Sequence, residues 1–470
     1  MKTEHKENSS IMALVHGLSD GGCSYTSNFP GFNSEKIFEA LGGKYISFNE
    51  RDAYLRSYGA SLAGKRSCVS FKNVGLNVAA DPFLNSLLSG VNAGLVLIVT
   101  DDMEVVGSQS RQDSRSYRDF FGGLWFEPAS IQSAYSIGYQ AFDLSEKFDV
   151  PVVIRLTNQF FDLGGTYKKS PVKRITKEPV KNPEKFVIHP TNYKQQMNRM
   201  AEKNRKISQF VEEFAIPYDR LGLKNFNECS GLSILFGCCT KELLEQKEKK
   251  NTLQVETYPI PQSLIKQVCK SGYPVSVFEQ GDEYGYRLVK ECLSLPSFVS
   301  SESHIPTDSS SGYRIWGGLE KMFKALSAIN PSYVVSDLTQ FTRETTNTIE
   351  SCLCLGSAIP VVVGMEECGV SYPWAVVGDV SLMHGQGADL LKEASAKNKN
   401  FGVIIIDNNG AWCTGGQSTV LTLEKYLENI KTETVNYNNI DEVQFKDIFE
   451  SMRGMAGVSV LIVQTYESET

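Results

Sequence analysis

Apolar and polar positions come in blocks along the chain, and the period changes from block to block. Short apolar runs recur at residues 13–16, 44–48, 68–71, 95–100 and 152–156, with helix-period segments between them, as at 34–41 and 131–148. Brief apolar runs bounded by polar turns read as buried strands. Their alternation with helices predicts an α/β fold with a parallel sheet covered on both faces. A basic, proline-containing stretch follows at 166–190 (TYKKSPVKRITKEPVKNPEK) and reads as a solvated linker without a partner. Residues 193–216 then place Met197, Met200, Ile207, Val211 and Phe214 on one stripe of a long helix, which core packing explains.

Beyond the helix, strand-like runs at 232–236, 254–257 and 275–278 predict a smaller α/β unit. Its turn at 281–286 (GDEYGY) reads as a tight connection, and a serine-rich linker follows at 300–312. The predicted organisation is a first α/β domain at 1–175, linker and helix at 176–229, a small domain at 230–300 and a last domain at 313–470. The last domain is organised around AVVGDVSLMHGQGADLLKEASAKNKNFGVIIIDNNGAWCTGGQ, residues 375–417. One apolar run there ends in Gly378-Asp379. After a helical segment, a second run at 403–406 ends in Asp407-Asn408-Asn409. Two parallel strands flanking a helix bring both polar tips to the carboxyl edge of a sheet, where open α/β sheets bind ligands. An Asp, an Asn and a turn carbonyl suit a hard divalent cation such as magnesium, which keeps phosphate oxygens in its shell.

Composition narrows the field. The 470 residues are 41% hydrophobic and 21% charged, which describes a globular chain too long for one core. A net charge of −7 argues against nucleic acid as partner. No apolar run approaches the roughly 18 residues of a membrane span. The start, MKTEHKENSS, lacks a signal-peptide core, so a cytoplasmic location is expected. The 11 cysteines include no Cys-x-x-Cys, which gives iron–sulfur clusters and structural zinc no support, and 5 histidines make a histidine-rich metal site unexpected. Gly385-x-Gly387 lacks the third glycine of a dinucleotide fingerprint.

Gly378-Asp379, followed one strand later by Asn408-Asn409, resembles the thiamine diphosphate motif. Thr414-Gly415-Gly416-Gln417 resembles the TGGQ of the 2-oxoacid:ferredoxin oxidoreductases. Residues 48–82 (FNERDAYLRSYGASLAGKRSCVSFKNVGLNVAADP) resemble the amino-terminal region of the alpha subunit of indolepyruvate ferredoxin oxidoreductase. So do Phe29-Pro30-Gly31, Ser108-Gln109, Gln112-Asp113 and Arg115. Tyr258-Pro259-Ile260-Pro261 and Phe278-Glu279-Gln280 extend the match and imply a transketolase C-terminal-like middle domain.

The resemblance implies thiamine diphosphate and Mg2+ as cofactors. Asp379, Asn408 and the Gly410 carbonyl would hold the metal, with Gly378 and Thr414 at the diphosphate. Glu50 would be the carboxyl group that shares a proton with the pyrimidine ring. Asn77, in the Gly/Asn-rich segment 72–81, would border the reaction site, and His384 would stand close enough to shuttle protons. Residues 352–365 (CLCLGSAIPVVVGM) would form a helix and turn beside the cofactor. Val380 departs from the glycine that many thiamine enzymes carry after the Asp. The family's ferredoxin-like domain has no counterpart in these residues. The leading expectation is therefore a non-oxidative decarboxylase or carboligase acting on a 2-oxo acid, with arylpyruvates as a class by analogy. The alternative is the alpha-type subunit of a split oxidoreductase with an iron–sulfur partner, and a third, non-catalytic expectation is a cofactor-binding scaffold. A homodimer is implied, with Glu50 and Asp379 meeting across its interface.

Overall fold

The structure is a computed structural model that describes residues 9–218, 220–221, 232–238, 251–270, 274–294, 319–337, 348–411 and 416–466. The serine-rich linker at 300–312, Thr414 and Gly415 lie outside the described residues. Three sheets carry the chain. The first contains β1 (Tyr25–Asn28), β2 (Ser67–Lys72), β3 (Leu95–Asp101), β4 (Leu124–Phe126) and β5 (Val152–Thr157). The second contains β6 (Arg220–Leu221), β7 (Leu232–Phe236) and β8 (Asn251–Val255), followed in sequence by β9 (Thr257–Tyr258) and β10 (Val275–Phe278). The third contains β11 (Val334–Ser336), β12 (Trp374–Gly378), β13 (Gly402–Asp407), β14 (Thr432–Asn436) and β15 (Ser459–Gln464).

The first and third sheets have strand orders β1-β2-β3-β5-β4-β9 and β11-β12-β13-β15-β14, with every pairing parallel except β4 with β9. The second has the order β10-β7-β8-β6. Central strands β3, β5 and β13 are buried along their whole length, the mark of sheets covered on both faces. This is the expected α/β architecture of two doubly wound sheets with a smaller unit between them.

Several local expectations change. Residues 13–16 belong to a helix, Ser9–Asp20. Its buried positions Ile11, Leu14, Val15 and Leu18 recur at helical spacing, a period that a four-residue window cannot show. Residues 44–48 form no strand, and Tyr45 and Ile46 are exposed. The segment 72–81 is not a turn: the helix Asn73–Ser89 begins within it. Residues 254–257 divide, since β8 ends at Val255 and β9 crosses to close the first sheet against β4.

The basic stretch is also not simply solvated. Lys177 pairs with Glu146 at 2.9 Å, Lys181 with Glu350 at 3.0 Å and Lys185 with Asp149 at 2.6 Å, while Lys173 bonds to Asp143. Lys173, Lys177 and Lys185 thus lace this strap along the first unit, and Lys181 ties it to the third. The strap then reaches the third, where Ile188 N–H donates to the Cys352 carbonyl at 2.7 Å.

The junction of the first and second units is ionic and dry. Arg155 bonds to Asp101 and Glu127, both at 2.6 Å, and Arg115 to Glu279 at 2.8 Å and to Asp113. The Glu279 carboxylate also caps the next helix, accepting from Gly285 N–H at 2.9 Å and Tyr286 N–H at 2.8 Å. The 281–286 turn is therefore a docking element: Asp282 N–H donates to Asp113 Oδ2 at 3.1 Å. Four buried carboxylates face two guanidinium groups. Burial, with Arg155 opposing it and Asp113 adding to it, pushes the Asp101 carboxyl up to about 6.

The first and third units meet helix against helix. In Glu50–Leu62, a Cβ on Gly59 would overlap the Val361 carbonyl oxygen. In Ala358–Glu367, a Cβ on Gly364 would overlap the Arg56 carbonyl oxygen. Both obstacles are backbone and cannot rotate away. Gly59→Ala is therefore expected to destabilise the fold by about 1–3 kcal/mol, the range for overpacking a tight contact. Urea unfolding checks this, and an unchanged midpoint would refute the close approach.

Candidate active site

The parallel register of β12 and β13 pairs Gly378 with Ile406, so both strands end level with each other. Asp379 opens the short helix Asp379–His384 immediately after β12, and Asn408 follows β13. The Asp379 carboxylate is buried at 7% exposure. Its Oδ1 accepts from Val380 N–H at 2.8 Å and its Oδ2 from Gly410 N–H at 2.9 Å. Gly410 has φ 148°, a conformation open to glycine, and its loop is closed by Ala411 N–H donating to the Gln417 carbonyl at 2.9 Å.

Asp379 Oδ1, the Asn408 side-chain oxygen and the Gly410 carbonyl oxygen face one another. The Asn408 oxygen lies 3.2 Å from Asp379 Oδ1 and 2.8 Å from Gly410 O. With the amide turned over, its nitrogen would donate to both. That orientation satisfies the amide by itself; with its oxygen turned inward, a cation bridging it to Asp379 Oδ1 and Gly410 O would take the place of the two N–H bonds. Adjacent oxygens of an octahedral magnesium shell lie about 2.9 Å apart, from its 2.0–2.1 Å bonds. The two separations from the Asn408 amide, 3.2 and 2.8 Å, are close to an edge of such a shell. Among the described residues no group of three or more His, Cys, Asp or Glu gathers as metal ligands. Burial, with Asp407 adding to it and the two N–H bonds opposing it, holds the Asp379 carboxyl above the usual range. A Cβ on Gly378 would meet only Ser381 Cβ at 3.9 Å, so the space over this turn is open to a ligand.

Glu50 is the first residue of Glu50–Leu62, whose N-cap Asn49 accepts from Asp52 N–H at 2.8 Å. Its carboxyl group is 7% exposed and lies against Gly75, where a Cβ would sit 2.5 Å from both Glu50 Cγ and Oε1. Desolvation raises the Glu50 pKa; its own backbone N–H and the charge of Lys72 oppose the shift. The glycine-rich segment thus borders Glu50 through Gly75. Asn77 is exposed and engaged elsewhere, donating to Gln112 Oε1 at 2.8 Å and accepting from Tyr117 OH at 2.6 Å. His384 is exposed at the far end of its helix, about 7.5 Å along the axis from Asp379 at 1.5 Å per residue.

Within the chain, the two units that carry Glu50 and Asp379 touch beside these residues. Arg51 Nη1 donates to the Gly356 carbonyl at 3.0 Å, and Gly356 N–H donates to Ser381 Oγ at 3.0 Å. Asn49 Nδ2 donates to Gln386 Oε1 at 2.6 Å. The glycine-mediated contact of Glu50–Leu62 with Ala358–Glu367 makes this reach possible. Sequence reasoning missed Gly75, Arg51, Asp337 and Ser381. Of these only Gly75 had a local signal, a glycine early in a helical segment.

Fold and site together define a class. Residues 332–469 match the family model described as thiamine pyrophosphate enzyme, C-terminal TPP binding domain. The whole chain has the fold of thiamine diphosphate-dependent enzymes. It is similar to the 4-hydroxybenzoylformate decarboxylase of Rhodococcus jostii RHA1 at a TM-score of 0.54 and 13% identity, covering 98% of this chain and 100% of that one. It is similar also to the benzoylformate decarboxylase of Polynucleobacter necessarius at a TM-score of 0.52 and 11% identity, covering 98% of each chain.

In sequence the chain resembles the indolepyruvate oxidoreductase subunit IorA. It is 30% identical to that of Archaeoglobus fulgidus over 290 residues, covering 58% of this chain and 46% of the relative. With that of Pyrococcus abyssi it shares 32% over 217 residues, 43% of this chain and 33% of the relative. The matched stretch spans less than half of either relative.

The buried Glu50 makes a prediction that needs no ligand. A carboxyl whose folded pKa is raised binds more protons folded than unfolded, so its contribution to stability falls as pH rises through the folded value. Glu50→Gln removes that loss. Its melting temperature should equal wild type near pH 4 and exceed it at pH 7.5. A variant no more stable than wild type at pH 7.5 would show that Glu50 is not held in a desolvating site.

Proposed function

We propose that this chain is a thiamine diphosphate- and magnesium-dependent enzyme acting on 2-oxo acids. The observation that carries the reading is the level ending of β12 and β13, which brings Asp379, Asn408 and Gly410 to one sheet edge, with the Asp379 carboxylate accepting from Gly410 N–H and the Asn408 amide 3.2 Å from Asp379 Oδ1. Asp379, Asn408 and the Gly410 carbonyl hold Mg2+, and the open turn at Gly378 leaves room for the diphosphate. Thr414, outside the described residues, is assigned to the diphosphate by the sequence resemblance alone. Bound thiamine diphosphate supplies the electron sink that a 2-oxo acid needs to lose carbon dioxide.

The protein's part is binding, exclusion of water and control of one proton. Glu50 holds that proton against the pyrimidine ring, and its dry seat beside Gly75 keeps the carboxyl protonated to higher pH than a solvated glutamate. Asn77 and His384 are rim residues in this reading: Asn77 orders the Gln112 loop, and His384 meets solvent. A homodimer and a cytoplasmic setting belong to the same proposal. Cys23, Cys68, Cys269, Cys292, Cys352, Cys354 and Cys368 are free thiols, which suits a reducing compartment, and no helix among the described residues is long and apolar enough to cross a membrane.

The leading reaction is non-oxidative decarboxylation or carboligation. Its support is the lack of any Cys-x-x-Cys in the 470 residues, which leaves them without the spaced cysteines of an electron exit. The second reading, an alpha-type subunit whose iron–sulfur clusters lie on a partner, is favoured by the name that the sequence relatives carry. Arylpyruvates remain the substrate class to try first.

Thiamine diphosphate with magnesium, at 100-fold over its dissociation constant, should stabilise the protein by about 2.7 kcal/mol. Asp379→Ala should abolish most of that gain, and a wild-type melting curve indifferent to cofactor would end the thiamine reading.

Glu50→Gln should still bind the cofactor but turn over about 10²–10⁴-fold more slowly with a responsive 2-oxo acid. Wild-type turnover would move proton control to another residue. Product analysis on the isolated chain and on complex drawn from native cells separates the two reactions. Aldehyde or acyloin without an acceptor supports the first. Viologen reduction that depends on the 2-oxo acid, in the native complex alone, supports the second.

A further inference from the structure

The turn that follows β13 is held from both ends. Gly410 N–H donates to Asp379 Oδ2 at 2.9 Å, and Asn409 N–H donates to Asp407 Oδ1 at 3.2 Å. Asn408 stands between these two anchors. Asn409 has φ 59°, in the left-handed region, which residues other than glycine occupy at a cost. The Asp407 carboxylate can hold that conformation only while it keeps one orientation. Its other oxygen is fixed by the chain at the end of β15. Tyr466 OH donates to Asp407 Oδ2 at 3.0 Å, and Gln464 Nε2 lies 3.5 Å from the same oxygen. The backbone is clasped as well, since Thr465 N–H and Thr465 Oγ1 donate to the Asp407 carbonyl at 3.0 and 3.2 Å. Tyr466 is itself anchored from β14, where Asn436 Nδ2 donates to its carbonyl at 3.0 Å. Asp407 is buried, and a buried acceptor that loses its donor is costly to leave unpaired.

We propose that Tyr466 is a positioning residue for the cation site, acting through Asp407 on the turn that carries Asn408 and Gly410. The inference rests on the thiamine reading above and deepens it. It needs only the carboxyl edge of the third sheet and no group from the first unit. Tyr466 is not one of the proposed ligands. Its hydroxyl fixes Oδ2, which aims Oδ1 at Asn409 N–H, and the directions of the Asn408 side chain and the Gly410 carbonyl follow from the turn. Magnesium demands near-octahedral geometry with bonds of about 2.0–2.1 Å, so tilting two of its ligands weakens binding. Groups that orient ligands from behind typically matter by about 10–100-fold in metal affinity.

The test uses the full chain with excess thiamine diphosphate and with Mn2+ as the probe. Mn2+ accepts the same oxygen ligation as magnesium. Its electron paramagnetic resonance reports both the free concentration and the symmetry of the bound shell. Tyr466→Phe keeps the ring and removes only the donor. It should raise the Mn2+ dissociation constant by about tenfold or more and alter the spectrum of the bound ion, while the cofactor-free protein melts close to wild type. Asp407→Ala should do at least as much. The double variant should be no weaker than Asp407→Ala, because the hydroxyl acts only through that carboxylate.

Mn2+ affinity in Tyr466→Phe within about twofold of wild type, an unchanged spectrum of the bound ion, or losses that multiply in the double variant would each overturn the assignment. So would a fall in cofactor-free melting large enough to account for the lost affinity. If Asp407→Ala does not fold, the affinity and spectrum of Tyr466→Phe decide alone. A wild-type protein that takes up no Mn2+ with thiamine diphosphate sinks the thiamine reading and this inference together. A wild-type protein that binds it, matched by Tyr466→Phe, sinks this inference alone.

Discussion

Two backbone-to-backbone approaches hold this molecule in its working arrangement. Where Gly59 meets the Val361 carbonyl and Gly364 meets the Arg56 carbonyl, helices from units far apart in sequence come closer than any side chain would allow. Everything at the candidate site depends on that proximity. Arg51 can reach the 354–356 turn only because its helix is drawn against the neighbouring one, and Asn49 can reach Gln386 for the same reason.

The other junction works by different physics. Between the first and second units, Arg115 and Arg155 are fully buried among four carboxylates. Breaking a buried pair by deleting one partner costs about 3–5 kcal/mol, because the survivor is left charged in a dry place. Such an interface tolerates little sliding. The small unit is thereby fixed at the carboxyl edge of the first sheet through β3 and β5, and the 279–282 segment fills ground where an open sheet commonly takes a ligand.

Much of this was legible in the chain because it is local. The cation-facing residues could be located from two apolar runs and a helix between them, since parallel strands of matched length end at one edge. Helix Ile131–Phe148 appears where its period places it. The failures are physical as well. Residues 13–16 look like a strand when the window is shorter than two helical turns. Tyr45, Ile46 and Phe48 are apolar yet exposed, and composition alone carries no information about which side of a surface a loop lies on. The lysines of the strap read as solvated because their carboxylate partners lie on elements remote in sequence. Asp337 and Ser381 were invisible for the same reason, their chemistry arising only when β11 and the Asp379 helix are side by side.

The strap has a consequence for how the protein is made. Its lysines at 173, 177 and 185 find their anions on segments that leave the ribosome before them, so this part can dock as soon as it emerges. Lys181 and Ile188 must wait, because Glu350 and Cys352 belong to a unit translated much later. Domains fold as units, the amino-terminal one first during synthesis. The nascent first unit therefore carries a half-tied strap with its remaining contacts vacant, a ready-made cradle for the last unit to arrive, while the middle unit folds in the interval.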